Sequence, residues 1–117
     1  MQLLTKQIRE RLIRNHELQQ EAGKKDGSID FRPVVKLFNP IGGATWLITE
    51  MDSDEMMFGL CDLGHGFPEL GYVYLPELEG IKLLGGALGI ERDIHFIAKS
   101  TVSEYHNEAI ANGRIVA

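Results

Sequence analysis

The sequence predicts a single α+β domain: an antiparallel sheet of about five strands, an N-terminal amphipathic helix, a short helix after the fourth strand and a C-terminal helix. The chain has 117 residues, the length of about one domain, with 44% apolar and 25% charged residues. Its N-terminus shows helical apolar spacing, whereas its middle alternates short β-rich segments with turn residues. We therefore divide it into a helix (1–22), a loop (23–32), a core (33–100) and a C-terminal helix (101–113).

The first helix is predicted from apolar spacing. Leu4, Ile8 and Leu12 recur every four residues, which places them on one face of a helix that runs from about residue 3 to residue 22. Thr5 is suited to cap its first turn, because a threonine hydroxyl accepts a hydrogen bond from a free helical N–H.

Four strands follow, each rich in β-branched, aromatic or other apolar residues and each bounded by turn residues. Their short connections favour an antiparallel meander. An alternating pattern from Leu88 to Ile97 predicts a fifth strand, with His95 in its middle. The first four predicted strands are Val34–Phe38, Thr45–Met51, Met56–Leu63 and Glu69–Leu75.

Two more helices carry start signals. Pro76 suits a first helical position, and apolar residues at helical spacing continue to Leu84, which predicts two to three turns ended by Gly85. Thr101 and Glu104 have the spacing of a capping box and predict the start of the last helix.

Composition excludes several classes of protein. No apolar run approaches the roughly 20 residues that a membrane-spanning helix needs, and the N-terminus lacks the pattern of a secretory signal. The single cysteine, Cys61, has no second cysteine with which to form an internal disulfide, which fits a reducing compartment. We therefore predict a cytoplasmic protein with no membrane association.

Charge is unevenly distributed along the chain. Residues 1–36 carry eight Lys/Arg against five Asp/Glu, whereas residues 37–117 carry four against twelve. This polarity favours electrostatic steering of a partner and argues against a broadly basic surface for nucleic acid.

The segment between the third and fourth strands is the densest group of chemically distinctive residues. Asp62, His65 and Glu69 are candidates for converging on a divalent metal, or His65 for acting as a base oriented by Asp62. The structural alternative is that Asp62 accepts backbone hydrogen bonds while Gly64 and Gly66 shape the turn. No dinucleotide, phosphate-loop, metal-pair or activated-nucleophile motif accompanies these residues, so we predict no cofactor and favour a non-enzyme.

The first predicted helix suggests a second kind of site. Its cations could contact phosphates while aromatic residues stack on the bases of a single strand. The alternative is a solvated helix face, with the aromatic side chains filling the core. The cations are Lys6, Arg9, Arg11 and Arg14, and the aromatic residues are Trp46, Phe67, Tyr72 and Tyr74.

Six short motifs follow one another over most of residues 30–100: Lys36–Phe38, Ala44–Leu47, Phe58–Gly64, Pro68–Val73, Pro76–Leu78 and Ile90–Asp93. In this order they resemble the domain-of-unknown-function family 2958. The resemblance implies a small bacterial α+β domain carried on plasmids and integrative elements, alone or within larger DNA-processing polypeptides, with no established reaction. It implies that Asp62, Glu69 and Arg92 match the family pattern better than His65 does.

The leading hypothesis is a non-catalytic accessory or interaction domain linked to mobile-element DNA maintenance, with a protein or DNA as its partner. A small metal-dependent hydrolase using Asp62 and Glu69 is one alternative. A single-stranded nucleic-acid binder that uses the basic N-terminal helix is the other.

Overall fold

Five antiparallel strands form one sheet in the computed structural model, which describes residues 2–117. The α+β class is therefore confirmed, with the strands in the order β4-β3-β2-β1-β5. The strands are β1 (Val35–Phe38), β2 (Thr45–Met51), β3 (Met56–Asp62), β4 (Glu69–Tyr74) and β5 (Glu91–Arg92). The helices are α1 (Lys6–Gly23), α2 (Leu75–Glu79) and α3 (Val102–Asn112), with a short 3₁₀ turn at Leu84–Gly86.

Helix α1 begins where the predicted cap lies. The hydroxyl of Thr5 accepts the N–H of Ile8 at 3.1 Å, so the helix starts at Lys6 and not at Leu3. Leu12 is fully buried against the sheet. No helix within residues 2–117 has the length and apolar character required to span a bilayer.

Two apolar clusters lie on opposite faces of the sheet. The first packs α1 and α2 against the sheet, and the second packs α3 against β2 and β3. Burial of these side chains supplies most of the driving force for folding. The first cluster includes Leu12, Leu37, Trp46, Ile48, Met57 and Leu75, and the second includes Leu47, Leu60, Val102, Tyr105, Ala109 and Ile115.

A close approach of two strands requires glycine at position 59. A Cβ added to Gly59 would collide with the carbonyl oxygen of Leu47 on β2. Gly71, its partner on β4, has open space where a Cβ would lie. A side chain therefore fits at position 71 but not at position 59.

The prediction of a long fifth strand is wrong in extent. Only Glu91–Arg92 pairs with β1, and His95 lies in an exposed turn and not in a strand. The side chain of Asp93 accepts the N–H of His95 at 2.9 Å, and its backbone carbonyl accepts the N–H of Phe96 at 3.2 Å. This aspartate turn ends the strand.

The helix after β4 is shorter than predicted. Helix α2 makes one turn and stops at Gly80, whose N–H donates to the carbonyl of Pro76 at 3.0 Å. The apolar residues up to Leu84 therefore follow the helix and do not extend it. Gly80, and not Gly85, is the stop.

Helix α3 has both predicted ends. Thr101 and Glu104 form a complete capping box, and Gly113 ends the helix in the left-handed conformation at φ 73°. The chain then turns back so that Ile115 is buried against the sheet.

Candidate functional site

The turn between β3 and β4 is built around a buried carboxylate. Asp62 is only 2% exposed. Its Oδ1 accepts the N–H of Gly64 at 2.8 Å, and its Oδ2 accepts the N–H of Ile115 at 2.9 Å. Gly64 and Gly66 have φ values of 85° and 87°, which glycine adopts without strain. Asp62 therefore holds the turn and the segment after α3 together, which supports its structural interpretation.

The three residues predicted to converge at this turn are not brought together. Cys61 pairs with Glu69 across β3 and β4, so these two side chains share one face of the sheet. Asp62, the next residue along β3, points to the opposite face. His65 and Glu69 are exposed, and residues 2–117 contain no group of three or more His, Cys, Asp or Glu side chains placed to hold a metal ion.

Cys61 is a poor nucleophile in this setting. Burial raises the pKa of its thiol to about 11, so the thiol is protonated at neutral pH. Its Sγ lies 3.9 Å from the carbonyl oxygen of Gly59 and 4.0 Å from that of Gly71. The residue packs as a small apolar side chain.

The four cations of α1 do not form one continuous stripe. Arg9 and Arg11 are about 160° apart around the helix axis. Arg9 donates to Glu55 at 3.0 Å, while Lys6 and Arg14 lie within 4 Å of Glu10 and Glu17 respectively. The face of α1 therefore mixes positive and negative charge, as a solvated helix surface does. The glutamates involved are Glu10, Glu17 and Glu55.

Trp46 and Arg92 make contacts that stabilise the fold. Trp46 is 4% exposed in the first apolar cluster, so its ring is not available for stacking on a base. Arg92 donates through Nη1 to the carbonyl oxygens of Gln2 at 3.0 Å and Leu3 at 2.7 Å. It therefore fastens the segment before α1 to β5.

An exposed apolar surface covers part of the sheet on its α3 side. Helix α3 packs over β2 and part of β3, and it leaves uncovered a group of side chains that we call the open face. Tyr72 is 73% exposed, and its ring meets that of Phe58 edge-on with centroids 5.1 Å apart. The open face consists of Met56, Phe58, Leu70, Tyr72 and Tyr74.

The open face borders an unpaired strand edge. β4 is the outer strand of the sheet. The N–H of Leu75 donates to the carbonyl of Glu55 at 3.0 Å, and bonded and non-bonded pairs alternate in an antiparallel ladder. The backbone groups of Leu70, Tyr72 and Tyr74 therefore point away from β3. The pairing of β3 with β4 is continuous over six residue pairs. β4 contains no bulge, proline or lysine, which are the features that discourage another strand from pairing with an exposed edge.

A half-buried polar pair that was not predicted from the sequence ties α1 to β2. Glu50 is 8% exposed, and its Oε1 lies 3.1 Å from Nδ1 of His16. Gln19 donates to the other carboxylate oxygen at 3.4 Å, and Asn15 donates to the carbonyl of Thr49 at 2.9 Å. A glutamate in an apolar strand and a histidine one turn after Leu12 were the available signals. The pair anchors the helix at the bulge in β2.

A cleft of about 430 Å³ lies between residues 93–100 and α3. Two of its polar groups make contacts within the protein. Asp93 lies 3.6 Å from Nζ of Lys36, and the hydroxyl of Tyr105 accepts the N–H of Lys99 at 2.9 Å. The cleft is also lined by the side chains of His95, Lys99, Ser100 and Glu108.

Fold and surface together define a small α+β domain in which an open aromatic face meets a free strand edge. The family model described as "Protein of unknown function (DUF2958)" matches residues 3–116. The chain therefore belongs to this family, as the sequence resemblance implied. No curated protein and no solved structure shows significant similarity to it.

Proposed function

We propose that this chain is a non-catalytic interaction domain that binds a protein partner through the open face and the free edge of β4. The observation that carries the proposal is Tyr72, which is 73% exposed at the centre of an unpaired edge strand. Exposed apolar patches of this kind mark interaction sites, and a free edge can accept a further strand. Burial of Tyr72 on binding would remove an apolar surface that the isolated domain leaves in water.

Charge favours a protein partner over nucleic acid. The open face contains no lysine or arginine, and residues 37–117 carry four basic against twelve acidic residues. A protein surface that binds nucleic acid needs cations to neutralise the phosphates. The cations of α1 lie mainly against acidic neighbours, and Trp46 is buried.

The absence of catalysis is part of the proposal. Both oxygens of Asp62 are used by backbone N–H groups, and Glu69 lies on the other face of the sheet. The raised pKa of the Cys61 thiol argues against covalent chemistry. We place the interaction in the cytoplasm, in the maintenance of plasmid or integrative-element DNA, on the strength of the family resemblance and the single free thiol.

Site-specific photocrosslinking in cells tests this proposal. A photoreactive phenylalanine analogue at position 72 should form a discrete protein adduct. The same analogue at position 97 is the matched control, because Ile97 is 83% exposed far from β4. Equal labelling at both positions, or none at position 72, would remove the proposed surface.

A DNA-binding titration over a salt series tests the nucleic-acid alternative. Phosphate contacts make affinity fall steeply as salt rises. We expect no such binding from the purified domain. Binding with a steep salt dependence, lost when Arg11 and Arg14 are both replaced by glutamine, would favour the alternative.

A further inference from the structure

We propose that the partner bound at β4 is a second copy of this chain, so that two copies form a symmetric dimer with antiparallel β4 strands. This inference rests on the proposed function for the location of the surface. It adds the identity of the occupant, for which the geometry of β4 supplies the grounds.

Backbone alternation fixes the register of such a dimer. Leu70, Tyr72 and Tyr74 point their N–H groups to the free edge, and each must face an outward-pointing residue of the second strand. The symmetric solution sets Tyr72 opposite Tyr72 of the second copy and Leu70 opposite Tyr74. Tyr74 is the N-cap residue of α2, so its carbonyl accepts a hydrogen bond within that helix and is not free to accept one from Leu70 of the second copy. Four of the six possible ladder hydrogen bonds therefore remain.

Side chains on the open face match in this register. Two Tyr72 rings lie directly opposite each other, and each already contacts Phe58 edge-on within its own copy. Leu70, which is 37% exposed, meets Tyr74, which is 38% exposed. Aromatic and aliphatic cross-strand pairs of this kind stabilise antiparallel sheets. The two open faces become one continuous apolar surface.

The charge of β4 does not oppose this pairing. Glu69 is the only charged residue of the strand and stands at its first position. In the symmetric register the two Glu69 residues are six positions apart along the strands, about 20 Å. That separation exceeds the Debye length of about 8 Å at physiological salt, so their repulsion is largely screened.

The other edge of the sheet prevents further growth. β5 is two residues long, and both of them, Glu91 and Arg92, are charged. Short, charged edges are poor templates for strand addition. Because the β4 contact is self-complementary, association closes at two copies.

The area available on β4 is small. A buried aromatic side chain covers roughly 200 Å², and Tyr72 is 73% exposed. With Leu70 and Tyr74, the side chains offer roughly 300 Å² per copy and roughly 600 Å² in total, below the roughly 1,200 Å² of a stable interface and in the range of a transient one. We therefore expect a weak dimer, with a Kd between about 10 µM and 1 mM.

Sedimentation velocity from about 1 µM to about 1 mM, the range that brackets this Kd, is the first test. The weight-average mass of the full chain should rise from 13.1 kDa toward twice that value. The Tyr72→Lys variant should remain monomeric, because it sets two like charges opposite each other at the symmetry axis. The matched Ile97→Lys variant, changed at an 83% exposed site away from β4, should associate as the wild type does.

Oxidative cross-linking tests the register. Hydrogen-bonded partners in an antiparallel pair have Cα atoms about 5.5 Å apart, within disulfide range. In a Cys61→Ala background, Tyr72→Cys should cross-link to its counterpart on oxidation. Leu70→Cys should not, because its two copies are offset by four residues, about 13 Å.

The outcomes separate this inference from the proposed function. A monomer at every concentration, a dimer unaffected by Tyr72→Lys, or preferential cross-linking of Leu70→Cys would overturn the second-copy inference. A photo-adduct at position 72 with a different protein, and none with the chain itself, would also overturn it while leaving the proposed function intact. Concentration-dependent dimers with cross-linking specific to Tyr72→Cys support both.

Discussion

Replacing Asp62 by asparagine tests whether its carboxylate is structural. Asparagine offers one acceptor oxygen, so one of the two N–H donors, from Gly64 or Ile115, would face an NH₂ group. A hydrogen bond to a charged acceptor contributes about 1.5–3 kcal/mol, and an unsatisfied buried N–H costs about 1–3 kcal/mol. Both figures describe the loss of the same hydrogen bond and are not added together. We therefore expect the free energy of unfolding to fall by about 2–3 kcal/mol.

Urea unfolding followed by the fluorescence of Trp46 measures this change. Trp46 is the only tryptophan and is buried, so its emission should report loss of the core. With an m-value of about 1–3 kcal/mol/M, the midpoint should fall by about 0.7–3 M. Glu69→Gln, at the exposed first position of β4 just after the same turn, should change stability by less than about 0.5 kcal/mol. An unchanged midpoint for Asp62→Asn would refute the structural interpretation and return the residue to the list of functional candidates.

Three further predictions concern single positions. In the same urea assay, Gly59→Ala should destabilise the fold by at least about 2 kcal/mol, whereas the stability of Gly71→Ala should stay within about 1 kcal/mol of wild type. Equal effects of the two substitutions would contradict the close approach of β2 and β3. Burial raises the pKa of Asp30, but hydrogen bonds from Ser103 and Thr101 outweigh it and hold that pKa below the model-peptide value of 3.8. The resulting stabilisation is present above pH 3.8 and is lost as the pH falls through the lower folded-state pKa. Asp30→Asn should therefore flatten the acid-unfolding curve, measured by circular dichroism, in that pH window. An unaltered acid-unfolding curve would count against the contact between Asp30 and Ser103. Cys61 should react with a thiol reagent at neutral pH far more slowly in the folded than in the urea-unfolded chain; equal rates would contradict its raised pKa of about 11.

The sequence was most informative where the signals are local. The second strand, Thr45–Met51, was predicted with its observed bounds, because apolar alternation and flanking turn residues lie within a few positions of each other. The caps at Thr5 and Thr101 were predicted for the same reason.

The errors in the fold also have local causes. Gly80 and Asp93 each supply a stop that competes with the apolar pattern around it. Periodicity alone does not show which signal dominates. Several apolar residues beyond the two stops are exposed and do not continue the element: Leu84 is 66%, Ile94 67% and Ile97 83% exposed. The predicted second helix and fifth strand were therefore too long.

The candidate surface depends on contacts between distant parts of the chain. The hydrogen bond from Ile115 to Asp62 joins residues 53 positions apart, and the contact between His16 and Glu50 joins residues 34 apart. The exposure of Tyr72 depends on where α3 stops covering the sheet, which no local pattern reports. Tyr72 was named among the aromatic candidates, but its place on a free edge was not predicted.

Amide hydrogen exchange along β4 tests the central claim most directly. At about 10 µM, the low end of the expected Kd range, the N–H groups of Leu70, Tyr72 and Tyr74 should exchange fast, while those of Gly71 and Val73 are protected by β3. Near 1 mM, exchange of the first three should slow as the edge fills, by about twofold for a Kd of 1 mM and about fifteenfold for a Kd of 10 µM. Protection of all five at low concentration would mean that the edge is already covered, and unchanged fast exchange at high concentration would mean that no second copy adds to it. Either result would contradict a free β4 edge that a second copy of the chain fills.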